Sequence, residues 1–194
     1  MADLIEHLES FLGTMSGASR GDDSTPPGVQ VAWFPNSPFT GVTTLVTVGL
    51  SRRHLGLPGG GSVHQELMMH VPNGDYPAQA AGLLFQLAGE MVRRGSALRP
   101  AQLIGPRGPL FPGSRLTAMV ATSPVYLPEG FAVCRGGESA PVVLAWLVPI
   151  SGGEAEVIRR DGWAALEEIL VAQDPNLADP GRPEVALTGR GSGR

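Results

Sequence analysis

The stretch Val142-Val143-Leu144-Ala145-Trp146-Leu147-Val148 constrains the fold more than any other part of the chain. Side chains alternate between the two faces of a strand, so seven apolar residues in a row leave no face for water. The run reads as a central strand covered on both sides, and the rest of the chain must supply that cover. Pro149 predicts its end. Ser151 and Glu154 then have the spacing of a capping box, with serine at the cap and glutamate three residues on, so a helix is expected to about Ala172. Trp163, Leu166, Ile169 and Leu170 would turn inward, and Gly162 is a candidate break.

The remaining elements follow from apolar periodicity and from Pro/Gly punctuation. Leu4, Ile5, Leu8, Phe11 and Leu12 put one apolar stripe on a short helix over 2–12, which Gly13 can end. Residues 14–28 read as a loop. Val29–Phe34, Val42–Leu50 and His64–Val71 are strand candidates, and their order suggests an antiparallel meander with Val42–Leu50 in the middle. Pro77 opens a helix over 78–94, with Leu84, Leu87 and Met91 on one face and Gly95 at its end. Gln102–Ile104 and Leu116–Ala121 are further strands. From Asp174 onward the chain reads as a loose Pro/Gly/Arg-rich tail without a fold of its own. The expectation is one α+β domain over residues 1–173, a mostly antiparallel or mixed sheet with flanking helices, followed by a tail over 174–194.

Composition removes several classes of function. All fourteen basic residues are arginine. Without lysine there is no Walker-type phosphate lysine and no Schiff base to pyridoxal phosphate. One cysteine, Cys134, excludes an internal disulfide and a multi-cysteine zinc site. The pairs Arg52-Arg53, Arg93-Arg94 and Arg159-Arg160 fall in separate elements of a chain whose net charge is −4, which argues against nucleic acid as a partner. No apolar run reaches the roughly 20 residues that span a bilayer. The start, Met1-Ala2-Asp3-Leu4-Ile5-Glu6, lacks the basic and apolar regions of a secretion signal, so the expected location is the cytoplasm.

No residue pattern completes a catalytic set. His64, Glu66 and His70 share one face of their strand, but at about 3.3 Å per residue the two histidines lie roughly 20 Å apart, too far for one metal ion. Gly17-Ala18-Ser19-Arg20-Gly21 matches a hydrolase nucleophile pattern, yet it lacks the strand-then-helix context that exposes such a serine. The glycines at 59–61 have no lysine and no helix start after them, so they read as a loop. Arg20-Gly21-Asp22 carries little weight without an export signal. Glu66, in an apolar strand, is either a buried hydrogen-bonded carboxylate, a solvated residue, or the centre of an unrecognised enzyme site.

Several segments together resemble the suppressor of fused domain of short bacterial proteins. They are Val31-Ala32-Trp33-Phe34-Pro35-Asn36 with the strand Gly41–Ser51, then Glu66-Leu67-Met68-Met69, then Val148-Pro149-Ile150-Ser151 with Glu154, Gly162, Trp163 and Leu166. The resemblance covers residues 1–172. It implies a protein-binding module without a cofactor. In the short bacterial members it implies an immunity protein that blocks a cognate toxin of a polymorphic toxin system. Partner contact is expected through His64, Glu66 and His70, along a His64–Val71 strand left open as a sheet edge, where a partner segment could add a strand.

Overall fold

The computed structural model describes residues 2–136 and 140–187. Nine strands form one mixed sheet: β1 (Gly17–Ser19), β2 (Gln30–Pro35), β3 (Val42–Val48), β4 (Leu55–Gly56), β5 (Ser62–Pro72), β6 (Gln102–Ile104), β7 (Leu116–Thr122), β8 (Val133–Cys134) and β9 (Val142–Ser151). The helices are α1 (Ala2–Leu12), α2 (Tyr76–Arg94), α3 (Gly152–Asp161) and α4 (Trp163–Gln173). The main path runs β1-β2-β3-β5-β9-β7-β6, with β4 paired to β5 and β8 to β9. This is the α+β architecture that the alternation of patterns implied.

The β9 run lies in the middle of the sheet, as its unbroken apolarity requires. Leu144, Trp146 and Val148 point to one face and Ala145 and Leu147 to the other. The Ala145 side packs under α2 through Leu84, Leu87 and Met91. The Trp146 side packs under α1, α3 and α4 through Leu4, Leu8, Val157, Leu166 and Leu170. No helix among the described residues is long and apolar enough to cross a membrane. Arg93-Arg94 and Arg159-Arg160 close α2 and α3, on opposite faces of the sheet.

Four expectations need correction. The His64–Val71 segment is not an edge: β5 pairs antiparallel with β3 through residues 68–72, parallel with β9 through residues 64–68, and with β4 through residues 62–63. The Val29–Phe34 strand is not an edge either, with β1 on one side and β3 on the other. Both strands therefore lie inside the sheet, not at its edge. The strand β1 lies inside the segment read as a loop, where Gly and Ser gave no apolar signal. The third correction concerns Pro149, which continues β9 opposite Met119 instead of ending it. β5 pairs with β9 only through Trp146, so β9 beyond that point has a free side. The Pro149 carbonyl accepts from Arg182 Nη2, and a residue's N and O lie on the same side of a strand, so the missing N–H forfeits no ladder bond.

The fourth is the tail. Residues 174–187 form a strap across the start of α3, while residues 188–194, with the Gly/Arg-rich end, lie outside the described residues. Arg182 is buried and grips Glu154 with both nitrogens, Nη1 to Oε1 at 2.7 Å and Nη2 to Oε2 at 2.6 Å. The predicted capping box is present with both halves. Glu154 Oε2 accepts from the Ser151 amide at 3.0 Å, and Oε1 also accepts from the Val185 amide. The strap adds a second acceptor at this helix end: Glu184 Oε2 takes the Gly153 amide at 3.1 Å and the Ser151 hydroxyl. Burial works against the Glu154 charge, but hydrogen bonds and the charge of Arg182 outweigh it and hold the carboxyl below its usual range.

Candidate protein-binding groove

The three residues expected to meet a partner do share one face of β5, but that face is covered. Glu66 and His70 are buried, and only His64 is half-buried. Glu66 staples the turn after β3. Beyond Val46 the strands β3 and β5 part, and Thr47 Oγ1 fills the gap by accepting the Leu67 amide at 2.8 Å and donating to Glu66 Oε2 at 2.7 Å. Glu66 Oε1 accepts from the Gly49 amide at 2.8 Å, the Ser51 amide at 3.0 Å and the Ser51 hydroxyl at 2.7 Å. Gly49 permits the turn: its φ is +104°, and a Cβ there would lie 2.2 Å from the Gly28 carbonyl oxygen. Burial pushes the Glu66 carboxyl above its usual range, against the pull of the Thr47 and Ser51 hydrogen bonds. None of these partners is a histidine or an arginine. His64 Nδ1 lies 2.5 Å from the Ser51 carbonyl oxygen and its ring meets that of His54, so it supports the same turn.

His70 sits at the other end of the strand in an aromatic cluster. Its ring centroid is 5.1 Å from Trp146 and 5.9 Å from Tyr126, and Tyr126 meets Phe39 at 5.1 Å. Thr44 Oγ1 donates to the Ser37 carbonyl at 2.5 Å, so at 2.8 Å it must accept from His70 Nδ1–H. That fixes the tautomer and leaves Nε2 buried with a bare lone pair; the Trp146 indole N–H is likewise buried without a partner. Burial alone pushes the imidazole pKa down to about 3, so the ring is neutral at physiological pH.

Above this cluster the surface opens into an apolar groove of about 180 Å³. Trp146 forms its floor. Val125 and Tyr126, in the loop after β7, make one wall; Trp163, Leu170 and Val171 of α4 make the other; Leu177 of the strap closes the end. Tyr126 Oη accepts from the Leu177 amide at 3.1 Å and ties loop to strap. Among the described residues only Phe39, Leu57, Val125 and Val171 are large apolar side chains left exposed. Val125 and Val171 flank the groove, 64% and 76% exposed, and Phe39 adjoins it through Tyr126. Exposed apolar side chains gathered in one place are a common mark of interaction sites in proteins. Glu167 and Asp174 complete the rim, and no lining residue is basic. The sequence reading missed this groove because its lining comes from four separate segments, each apolar for reasons of its own. The one available signal was Val171, an apolar residue on the outer side of α4.

A two-faced mixed sheet of this order, sealed by a capped helix and a strap, defines a single-domain α+β scaffold whose open feature is an apolar groove. The profile of the suppressor of fused protein family matches residues 25–183, and the chain belongs to that family. A chain from Neisseria gonorrhoeae described as a suppressor of fused homologue is similar over 97% of both chains, at 15% identity and a TM-score of 0.75. A chain of the Sufu–Fu complex is similar over 87% of this chain and 82% of its own length, at 15% identity and a TM-score of 0.65. Drosophila Suppressor of Fused is similar over 86% of this chain and 46% of its own length, at 16% identity and a TM-score of 0.62. No curated protein matches the sequence.

Proposed function

We propose that this chain acts in the cytoplasm by binding another protein, without catalysis, and that it is an immunity protein that neutralises a cognate toxin. The observation that carries the binding reading is the gathering of Val125, Val171 and Phe39 around an acidic-rimmed groove. Membership of the family supports it, as does the structural relative that was crystallised in a complex with Fu. The toxin reading adds one physical argument. Toxins that attack nucleic acid are often basic, and a net charge of −4 would steer this chain to such a target. An enzyme built around Glu66 gains no support, since four donors already occupy its two oxygens.

The test is co-expression. A toxin domain encoded beside this gene, expressed in a bacterial host with and without the chain, should kill only in its absence, and the two proteins should co-elute. Killing that the chain does not relieve, with no complex between purified proteins, would refute the immunity role. Binding without relief would leave a protein-binding module of another purpose.

A further inference from the structure

The groove also specifies what it can hold. An apolar cavity of about 150 Å³ accommodates one benzene ring, whereas small-molecule sites run from about 300 Å³ upward. At about 180 Å³ the groove fits a single phenyl or branched aliphatic side chain and is too small for a cofactor. Its lining includes Trp146, Tyr126, Trp163 and Leu170, which offer dispersion and aromatic contact but few polar partners. The rim is different. Glu167, on the face of α4 that carries Trp163 and Val171, and Asp174, at that helix's end, both line the opening, and neither forms an ion pair within the described chain. The guanidinium whose field reaches Tyr126, that of Arg182, is buried and already paired with Glu154. The mouth of the groove is thus apolar in the centre and negative at the edge.

We propose that this groove seats one large apolar side chain of a partner polypeptide, with an arginine or lysine adjacent in the partner's sequence facing Glu167 and Asp174. The proposal rests on the protein-binding reading and adds the chemistry of the bound segment. The apolar residue supplies the affinity as an anchor in a desolvated pocket, and the cation supplies selectivity at the wet rim.

The test uses the full chain and three seven-residue amidated peptides in a Gly/Ser background. One carries phenylalanine flanked by arginines, the second alanine flanked by arginines, the third phenylalanine flanked by glutamates. The chain has three tryptophans, and their indole N–H signals separate the faces: Trp146 and Trp163 line the groove, while Trp33 packs on the α2 side. The first peptide should shift the Trp146 and Trp163 signals saturably and leave Trp33 in place. Loss of the phenyl ring should weaken binding on the order of tenfold to a hundredfold, as burial of such a side chain predicts. Reversal of the flanking charge should weaken it about fivefold or more. Glu167→Arg should invert the preference between arginine-flanked and glutamate-flanked peptides. Val171→Glu, on a side chain that is mostly exposed, should abolish the shifts without changing thermal stability.

Absence of a saturable shift at millimolar peptide, or equal response to all three peptides, would overturn the proposal. So would a concentration-dependent dimer of the unliganded chain that Val171→Glu dissolves, because the occupant would then be a second copy. A toxin or other partner captured equally well by wild type and by Val171→Glu would leave protein binding standing and overturn the groove alone.

Discussion

Lowering the pH from 7.5 to 5.0 is expected to cost this fold about 2 kcal/mol through His70 alone. In the unfolded chain the imidazole titrates near 6.5, whereas burial pushes it down to about 3 in the folded protein. The folded state therefore takes up the proton less readily than the unfolded one. The stability this provides is complete above pH 6.5 and drains away as the pH falls towards 3. Each unit in that window is worth about 1.36 kcal/mol, and pH 5.0 lies about one and a half units into it. The structural reason is specific: a protonated ring would add an Nε2–H donor where none of the surrounding groups, Thr44, Tyr126 and Trp146, offers an acceptor to it. His70→Gln keeps a donor for Thr44 and cannot take a charge. Urea denaturation of both proteins at the two pH values gives the double difference. The wild type should lose about 2 kcal/mol more than the variant, even though the variant starts less stable. The shifted carboxylates are common to both proteins and cancel; Glu66, whose pKa is raised, gains its proton more readily in the folded state and so works in the opposite direction. Parallel losses in the two proteins, or a His70 ring signal that titrates between pH 8 and 5 in the folded state, would refute the argument.

Three further outcomes are expected. Glu66→Ala leaves the Gly49 and Ser51 amides without their acceptor at about 1–3 kcal/mol each, so chemical denaturation should show a loss of about 4 kcal/mol. Arg182→Met strands a buried Glu154 carboxylate and should cost about 3–5 kcal/mol, with residues 174–187 becoming protease-sensitive; Arg182→Lys should rescue little, because a single nitrogen lacks the planar fork that meets both Glu154 oxygens and the Pro149 carbonyl together. Gly49→Ala forces a Cβ into the Gly28 carbonyl at a left-handed backbone position, and thermal melts should register a loss of about 2 kcal/mol or more.

Much of the scaffold was legible because it is encoded locally. The Val142–Val148 run announces a two-sided central strand, Ser151 and Glu154 announce the start of α3, and Gly162, at φ +87°, breaks the helix where the sequence offered a break. What was not legible depends on distant partners. His64, Glu66 and His70 look like the outer row of an edge strand, since polar residues on alternate positions ordinarily face water. Glu66 and His70 are inside, where Glu66 accepts from amides of the 49–51 turn and His70 bonds the hydroxyl of Thr44. Arg182 sits among Pro, Gly and Asp and looks like any solvated tail residue. Its partner, Glu154, was already accounted for by the capping box, so nothing in the sequence pointed to a second role. The groove assembles from the β7–β8 connection, β9, α4 and the strap, and periodicity within one element says nothing about such a meeting.

The parallel pairing of β5 with β9 has a kinetic side. His64 meets Val142 and Met68 meets Trp146, each pair 78 residues apart in the chain, with α2, β6, β7 and β8 between them. The β2-β3-β5 and β7–β9 ladders close shorter connections, so each half can organise before the other arrives. The seam between them is then the late, slow step of folding, and until it closes the apolar flank of the most hydrophobic strand stays open to other chains. Aggregation during synthesis or refolding should therefore compete with seam closure. A variant retaining Trp146 as its sole tryptophan reports that event: its fluorescence change should belong to the slowest refolding phase, and a change in the earliest phase would contradict this order of assembly.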